Sequence, residues 1–142
     1  MTITSNKSGE IFTDNSKEAN KNAVFVVNSL NEKYLEDAKN SGFKKFINSC
    51  ELKNYFDFSS IKIIAITGTN GKTTTAAMIY SILLDLGYKT ALQGTRGFFI
   101  NDKQVENYSL TTPMQLDQFQ HIQMALEQNC QYFVMEASSH AI

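Results

Sequence analysis

A chain of 142 residues has room for one ordinary domain or two small ones. Its 13 basic and 14 acidic residues leave a net charge of −1, which supplies no electrostatic footprint for nucleic acid and no basic cluster for a membrane surface. No apolar run approaches the roughly 18 residues that span a bilayer, residues 1–20 lack the apolar stretch of a signal peptide, and Cys50 and Cys130 have no metal-ligand spacing. A cytoplasmic protein with neither nucleic-acid nor membrane partners is expected.

In chain order, residues 1–10 are rich in Ser, Asn and Thr and read as a loose start. Residues 23–28 (AVFVVN) form a compact β-branched run, a strand. A helix follows over 30–42, with Leu30, Tyr34, Leu35 and Ala38 on one face and Gly42 as its stop. Residues 44–48 read as a second short strand, and 52–58 are ambiguous between core and linker. This first segment is a small β-α-β unit ending near Ser60.

The pattern then changes. Residues 61–66 carry one polar side chain in six, as in a strand covered on both faces of a parallel sheet. A helix over 72–86 has Ala76, Ile79, Tyr80, Leu83 and Leu86 marking its buried face and Gly87 its stop. A short strand is expected over 90–93. Residues 98–100 and 104–108 read as a hairpin turning at Asn101-Asp102, two residue types that tolerate turn geometry. Thr112-Pro113-Met114-Gln115 has a capping-box pattern. It opens a helix over 113–128 that would bury Leu116, Phe119, Ile122, Ala125 and Leu126. Residues 132–135 form a last buried strand that delivers Glu136 at its end. Alternating strands and helices give an α/β fold: a small N-terminal α/β domain over 1–60, then a truncated phosphate-loop domain over 61–142 with a mainly parallel sheet. No helix follows the last strand, so a fragment of a longer enzyme is expected.

The chemistry centres on Gly68-Thr69-Asn70-Gly71-Lys72-Thr73-Thr74, set between a buried strand and a helix. Two glycines let the backbone turn tightly so that its N–H groups converge on phosphate oxygens. Lys72 supplies a mobile positive charge for the β- and γ-phosphates, Thr73 a hydroxyl for magnesium, and the helix its positive N-terminal end. The spacing departs from the usual Gly-four residues-Gly-Lys pattern, because Ile66 stands where its first glycine would be. Glu136, acidic at the carboxyl end of a strand, lies where open α/β sheets bind ligands and could hold the same magnesium ion. Thr111-Thr112 and Ser138-Ser139-His140 should emerge at that edge too. Taken singly, Thr112 is a helix cap, the serines are caps of a following helix, and His140 is a structural or exposed residue.

Together, ITGTNGKTTT (66–75), Gly94-Thr95, LTTP (110–113) and MEASSH (135–140) resemble the Mur ligase family, from about residue 61 onward. Within it they are similar to the UDP-N-acetylmuramoyl-tripeptide synthetases, which add the third amino acid of the peptidoglycan stem peptide. Asp14-Asn15-Ser16-Lys17 followed by residues 23–27 resembles that family's uridine-binding N-terminal domain, though the segment here is short. Arg96 stands where the family often has an uncharged residue.

The resemblance implies an ATP-dependent amide ligase of cell-wall synthesis acting through an acyl phosphate, with ATP and Mg2+ as cofactors. Its substrates would be a UDP-N-acetylmuramoyl dipeptide and an amino acid, diaminopimelate or lysine, and the protein a monomer. Gly68, Thr69, Asn70, Gly71, Lys72, Thr73 and Thr74 would bind ATP, and Thr73 and Glu136 the metal. Thr111, Thr112 and Ser138 would hold the muramoyl peptide, and Ser16 the uridine end. The family's carbamylated lysine and its amino-acid-selecting C-terminal domain would lie beyond Ile142, so no catalytic residue is assigned and this chain alone is not expected to turn over. Other readings stay open: a folylpolyglutamate synthetase or the ligase adding the next stem dipeptide on the same scaffold, a signal-recognition-type GTPase, or a nucleotide-binding module without turnover.

Overall fold

The structure is a computed structural model and describes residues 1–107 and 114–138. These divide into two compact units, Met1–Asp57 with Gln115–Gln120, and Phe58–Met114 with His121–Ile142.

In the first unit, β1 (Thr2–Thr4), β2 (Ile11–Thr13), β3 (Val24–Val27) and β4 (Lys45–Asn48) form a sheet in the order β1-β2-β3-β4. β1 runs antiparallel to β2, and β2, β3 and β4 are parallel. β1 stands within the expected loose start, and β2 follows directly after it. Each is only three residues long, and each is anchored by one apolar side chain, Ile3 or Phe12. The turn between them is closed by Ser5, whose N–H donates to the Glu10 carbonyl (2.8 Å) and whose hydroxyl accepts from Ser8 N–H (2.9 Å).

The helix expected over 30–42 shrinks to a 3-10 turn (Glu32–Tyr34) and α1 (Leu35–Asn40). Ala38 is its buried residue, while Leu30 and Tyr34 are exposed. The ambiguous 52–58 region begins in a second 3-10 helix, Ser49–Asn54, in which Asn48 N–H is capped by Glu51 Oε1 at 3.0 Å. Its Tyr55 and Phe56 rings tilt against Phe12, with centroids 5.1 and 5.6 Å away.

The second unit contains β5 (Lys62–Ile66), α2 (Lys72–Asp85), β6 (Thr90–Gly94), β7 (Gly97–Ile100), β8 (Lys103–Glu106) and β9 (Tyr132–Glu136), together with the part of α3 (Gln115–Glu127) from His121 onward. The sheet order is β5-β9-β6-β7-β8. The last strand in sequence thus lies between the first two, parallel to both, and β7 and β8 continue antiparallel. The α2 face of the sheet is built from Ala76, Leu92 and Val134 with Ile64, Ile66, Ile79 and Leu83 around them. The α3 face is built from Ile61, Ala91, Phe98, Ile122, Ala125 and Phe133.

The hairpin turns at Asn101-Asp102 as expected, Asn101 adopting φ 51°. The Tyr80 hydroxyl on α2 donates to the Asn101 carbonyl, and burial pushes that phenol up to about 12.

Three further expectations change. β5 is not covered on both faces, since Ile63 is 45% exposed. α2 ends at Asp85, so Leu86 falls beyond it and is exposed. α3 begins at Gln115, because Met114 is extended at φ −60° and ψ 153°. The proposed cap at Thr112-Pro113 lies outside the described residues.

Candidate nucleotide and metal site

β5 ends at Ile66 and the chain turns sharply into α2. Gly71, the residue before the helix, sits at φ 80°, a left-handed conformation that costs glycine nothing. Its carbonyl accepts from Thr75 N–H at 2.9 Å and so starts the helix. Lys72 folds over the loop, its Nζ donating to the Gly68 carbonyl at 2.7 Å. Thr69, Asn70, Gly71, Lys72, Thr73 and Thr74 line a cavity of about 330 Å3 together with Thr95 and Glu136. Gly68 is not among the lining residues; its carbonyl holds the Lys72 side chain.

Glu136 closes one wall. It is 2% exposed at the end of β9, and Thr73 Oγ1 donates to its Oε2 at 2.9 Å. Thr95 grips the same carboxylate, its N–H reaching Oε1 at 2.9 Å and its hydroxyl Oε2 at 3.1 Å. These donors replace the hydrogen bonds to water that a buried carboxyl group gives up. Gly94 makes room for it: a Cβ there would lie 2.1 Å from Glu136 Oε1. Neither Gly94 nor Thr95 received a role from the sequence beyond the motif they share. The available signal was their position at the carboxyl end of a strand, level with Glu136.

The oxygen set suits magnesium. Thr73 Oγ1 and Glu136 Oε2 are hard donors 2.9 Å apart, about the separation of adjacent ligands in an octahedron with bonds near 2.1 Å. Thr73 and Thr74 also border a second cavity of about 400 Å3, lined besides by Ala77, Met78, Ser81 and Ile82 of α2 and by Arg96.

The remaining expected site residues are distributed as follows. Ser138 is half-buried two residues past Glu136, and Ala137 N–H is fixed to the Ile66 carbonyl at 2.9 Å, so this segment leaves the sheet level with the loop. Thr111, Thr112 and His140 lie outside the described residues. Ser16, in the first unit, lines an open cavity of about 590 Å3 with Lys17, Lys21, Asp37, Asn40 and Ser41.

Comparison with known proteins points the same way. Residues 66–142 match the family described as Mur ligase middle domain. The UDP-N-acetylmuramoyl-L-alanyl-D-glutamate--2,6-diaminopimelate ligase of Helicobacter pylori (strain J99) is 53% identical over 135 residues, which is 92% of this chain and 29% of that protein. The ligase of the same name from Wolinella succinogenes is 47% identical over 133 residues, 94% of this chain and 30% of its own length. A solved structure of a UDP-N-acetylmuramoyl-L-alanyl-D-glutamate--2,6-diaminopimelate ligase superposes with a TM-score of 0.70 at 22% identity, covering 91% of this chain and 32% of that one. The chain therefore spans under a third of the length of these relatives. It belongs to the Mur ligase family, with the middle domain of that family over residues 66–142.

Proposed function

We propose that this chain is the nucleotide-holding part of an ATP-dependent ligase that joins 2,6-diaminopimelate to UDP-N-acetylmuramoyl-L-alanyl-D-glutamate in peptidoglycan synthesis. The observation that carries the reading is the Thr73–Glu136 pair, which joins the phosphate loop to a buried carboxylate inside one cavity. The relatives' names support the choice of diaminopimelate over lysine.

In this reading Gly68 to Thr74 wrap the phosphates of ATP, with Lys72 swinging from the Gly68 carbonyl onto the β- and γ-oxygens. Thr73 and Glu136 would hold Mg2+, which would supply charge neutralisation for the phosphate chain. The γ-phosphoryl group passes to a carboxylate oxygen of the D-glutamate residue, giving ADP and an acyl phosphate. The amine of the incoming amino acid then attacks the acyl carbon, phosphate leaves, and the amine proton is released. Positioning and charge neutralisation are the protein's main contributions to such a transfer. Thr111, Thr112 and Ser138 are assigned to the muramoyl peptide and Ser16 to its uridine end. The corresponding division is a uridine-binding unit over 1–60 and an ATP-binding unit over 61–142.

ADP release by the complete gene product is the test. It should require both UDP-N-acetylmuramoyl-L-alanyl-D-glutamate and diaminopimelate. ADP formed at the same rate without the dipeptide would overturn the proposal.

A further inference from the structure

The strands β6 and β7 pair out to Gly94 and Gly97, so Thr95 and Arg96 alone make the turn between them. That turn is held tightly. Gly97 sits at φ 122°, and a Cβ there would lie 2.6 Å from the Glu106 carbonyl oxygen. Gln104 Nε2 donates to the Arg96 carbonyl at 3.3 Å. Thr95 is fixed from the other direction, its N–H and hydroxyl bonding Glu136 at 2.9 and 3.1 Å. The backbone of Arg96 is therefore set relative to the carboxylate assigned to magnesium.

The two turn residues line different cavities, and both cavities include Thr73 and Thr74. Thr95 lines the one formed by the phosphate loop, whose charged side chains are Lys72 and Glu136. Arg96 is the one charged side chain of the other. Among the described residues its guanidinium has no hydrogen-bond or ion-pair partner, whereas Lys72 Nζ already donates to the Gly68 carbonyl. A fixed backbone carrying an unpartnered cation next to phosphate-loop hydroxyls calls for an anion. A triphosphate supplies one, because it carries more negative charge than one lysine and one divalent ion offset. The planar guanidinium also presents a fork of donors that fits two oxygens of one phosphoryl group.

Which phosphate it meets follows from its neighbour. Thr95 holds Glu136, and a magnesium ion on Thr73 and Glu136 would lie against the β- and γ-oxygens. Arg96, the next residue of the turn, approaches from that metal end of the phosphate chain. Resting on the nucleotide reading above, we propose that Arg96 is a second phosphate-binding cation. Its guanidinium takes the γ-phosphoryl group of ATP from the metal side while Lys72 holds the chain from the loop. In this role Arg96 makes the site favour ATP over ADP.

The test is calorimetric titration of the complete gene product with Mg-ATP and with Mg-ADP, the other substrates being left out so that binding is read instead of turnover. Arg96→Ala should weaken Mg-ATP binding by about ten-fold and Mg-ADP binding by less than about two-fold. Its urea midpoint should stay at the wild-type value, since the Arg96 side chain is exposed. Arg96→Lys keeps the charge and loses the fork, so it should recover part of the ATP affinity. Equal weakening of both nucleotides, or an ATP affinity unchanged in Arg96→Ala, overturns the proposal and leaves the nucleotide reading in place. Wild-type protein that binds neither nucleotide overturns both.

Discussion

A carboxyl group that is 2% exposed needs hydrogen-bond donors in place of water, and Glu136 has them in Thr73 and Thr95. Gly94 completes the fit by leaving out a side chain, so Gly94→Ala should push Glu136 off its donors. We expect a loss of about 1–3 kcal/mol in stability and weakened Mg-ATP binding, read by urea unfolding and titration. Glu136 was legible in the sequence as an acidic residue ending an apolar strand. The roles of Gly94 and Thr95 were not, because their contact with a residue about forty positions away exists only through the β6–β9 register.

A second buried polar group lies on the α3 face. His121 is fully buried, its Nδ1 3.0 Å from Gln93 Oε1 and its ring stacked on Phe98. Burial pulls its folded pKa below the ordinary histidine value, with Glu106 acting in the opposite direction. The unfolded chain, with its histidine near 6.5, then binds the proton more readily than the folded one. Stability should fall as pH drops below about 6.5, and His121→Gln should flatten that dependence in urea midpoints measured between pH 5 and 7.

At the level of elements, those with long repeating patterns were readable. α2 shows helical spacing over four turns, and β9 is an apolar run ending in a charge. β1 and β2 escaped because three-residue strands offer no period to detect. α1 was overextended because Leu30 and Tyr34 fit a helical spacing yet lie outside the core. β5 illustrates a different limit: its composition suits a strand buried on both faces, whereas its exposure depends on what is packed around it. β9 is the element that ties the sheet together, lying between β5 and β6 with Phe133 fully buried in the α3-face core. Phe133→Ala should therefore cost about 3–5 kcal/mol. Thermal melts should show the transition of the second unit lowered or lost.

Across the whole chain, the α/β class was visible in the sequence, and the phosphate loop, Gly94-Thr95 and Glu136 were readable as a set because each sits at a strand end, where backbone direction fixes its position. What spacing could not give was that Gln115–Gln120 belong with the first unit, since that depends on packing between segments remote in sequence. Among the described residues no helix is long and apolar enough to cross a membrane. The central claim is that Gly68 to Thr74 and Glu136 form one magnesium-nucleotide site, and calorimetric titration of this chain with ATP tests it most directly. Binding should be saturable, should require Mg2+, and should weaken at least about ten-fold, or 1.4 kcal/mol, in both Lys72→Ala and Glu136→Gln. Equal affinity with and without Mg2+, or a preference for GTP over ATP, would contradict the account.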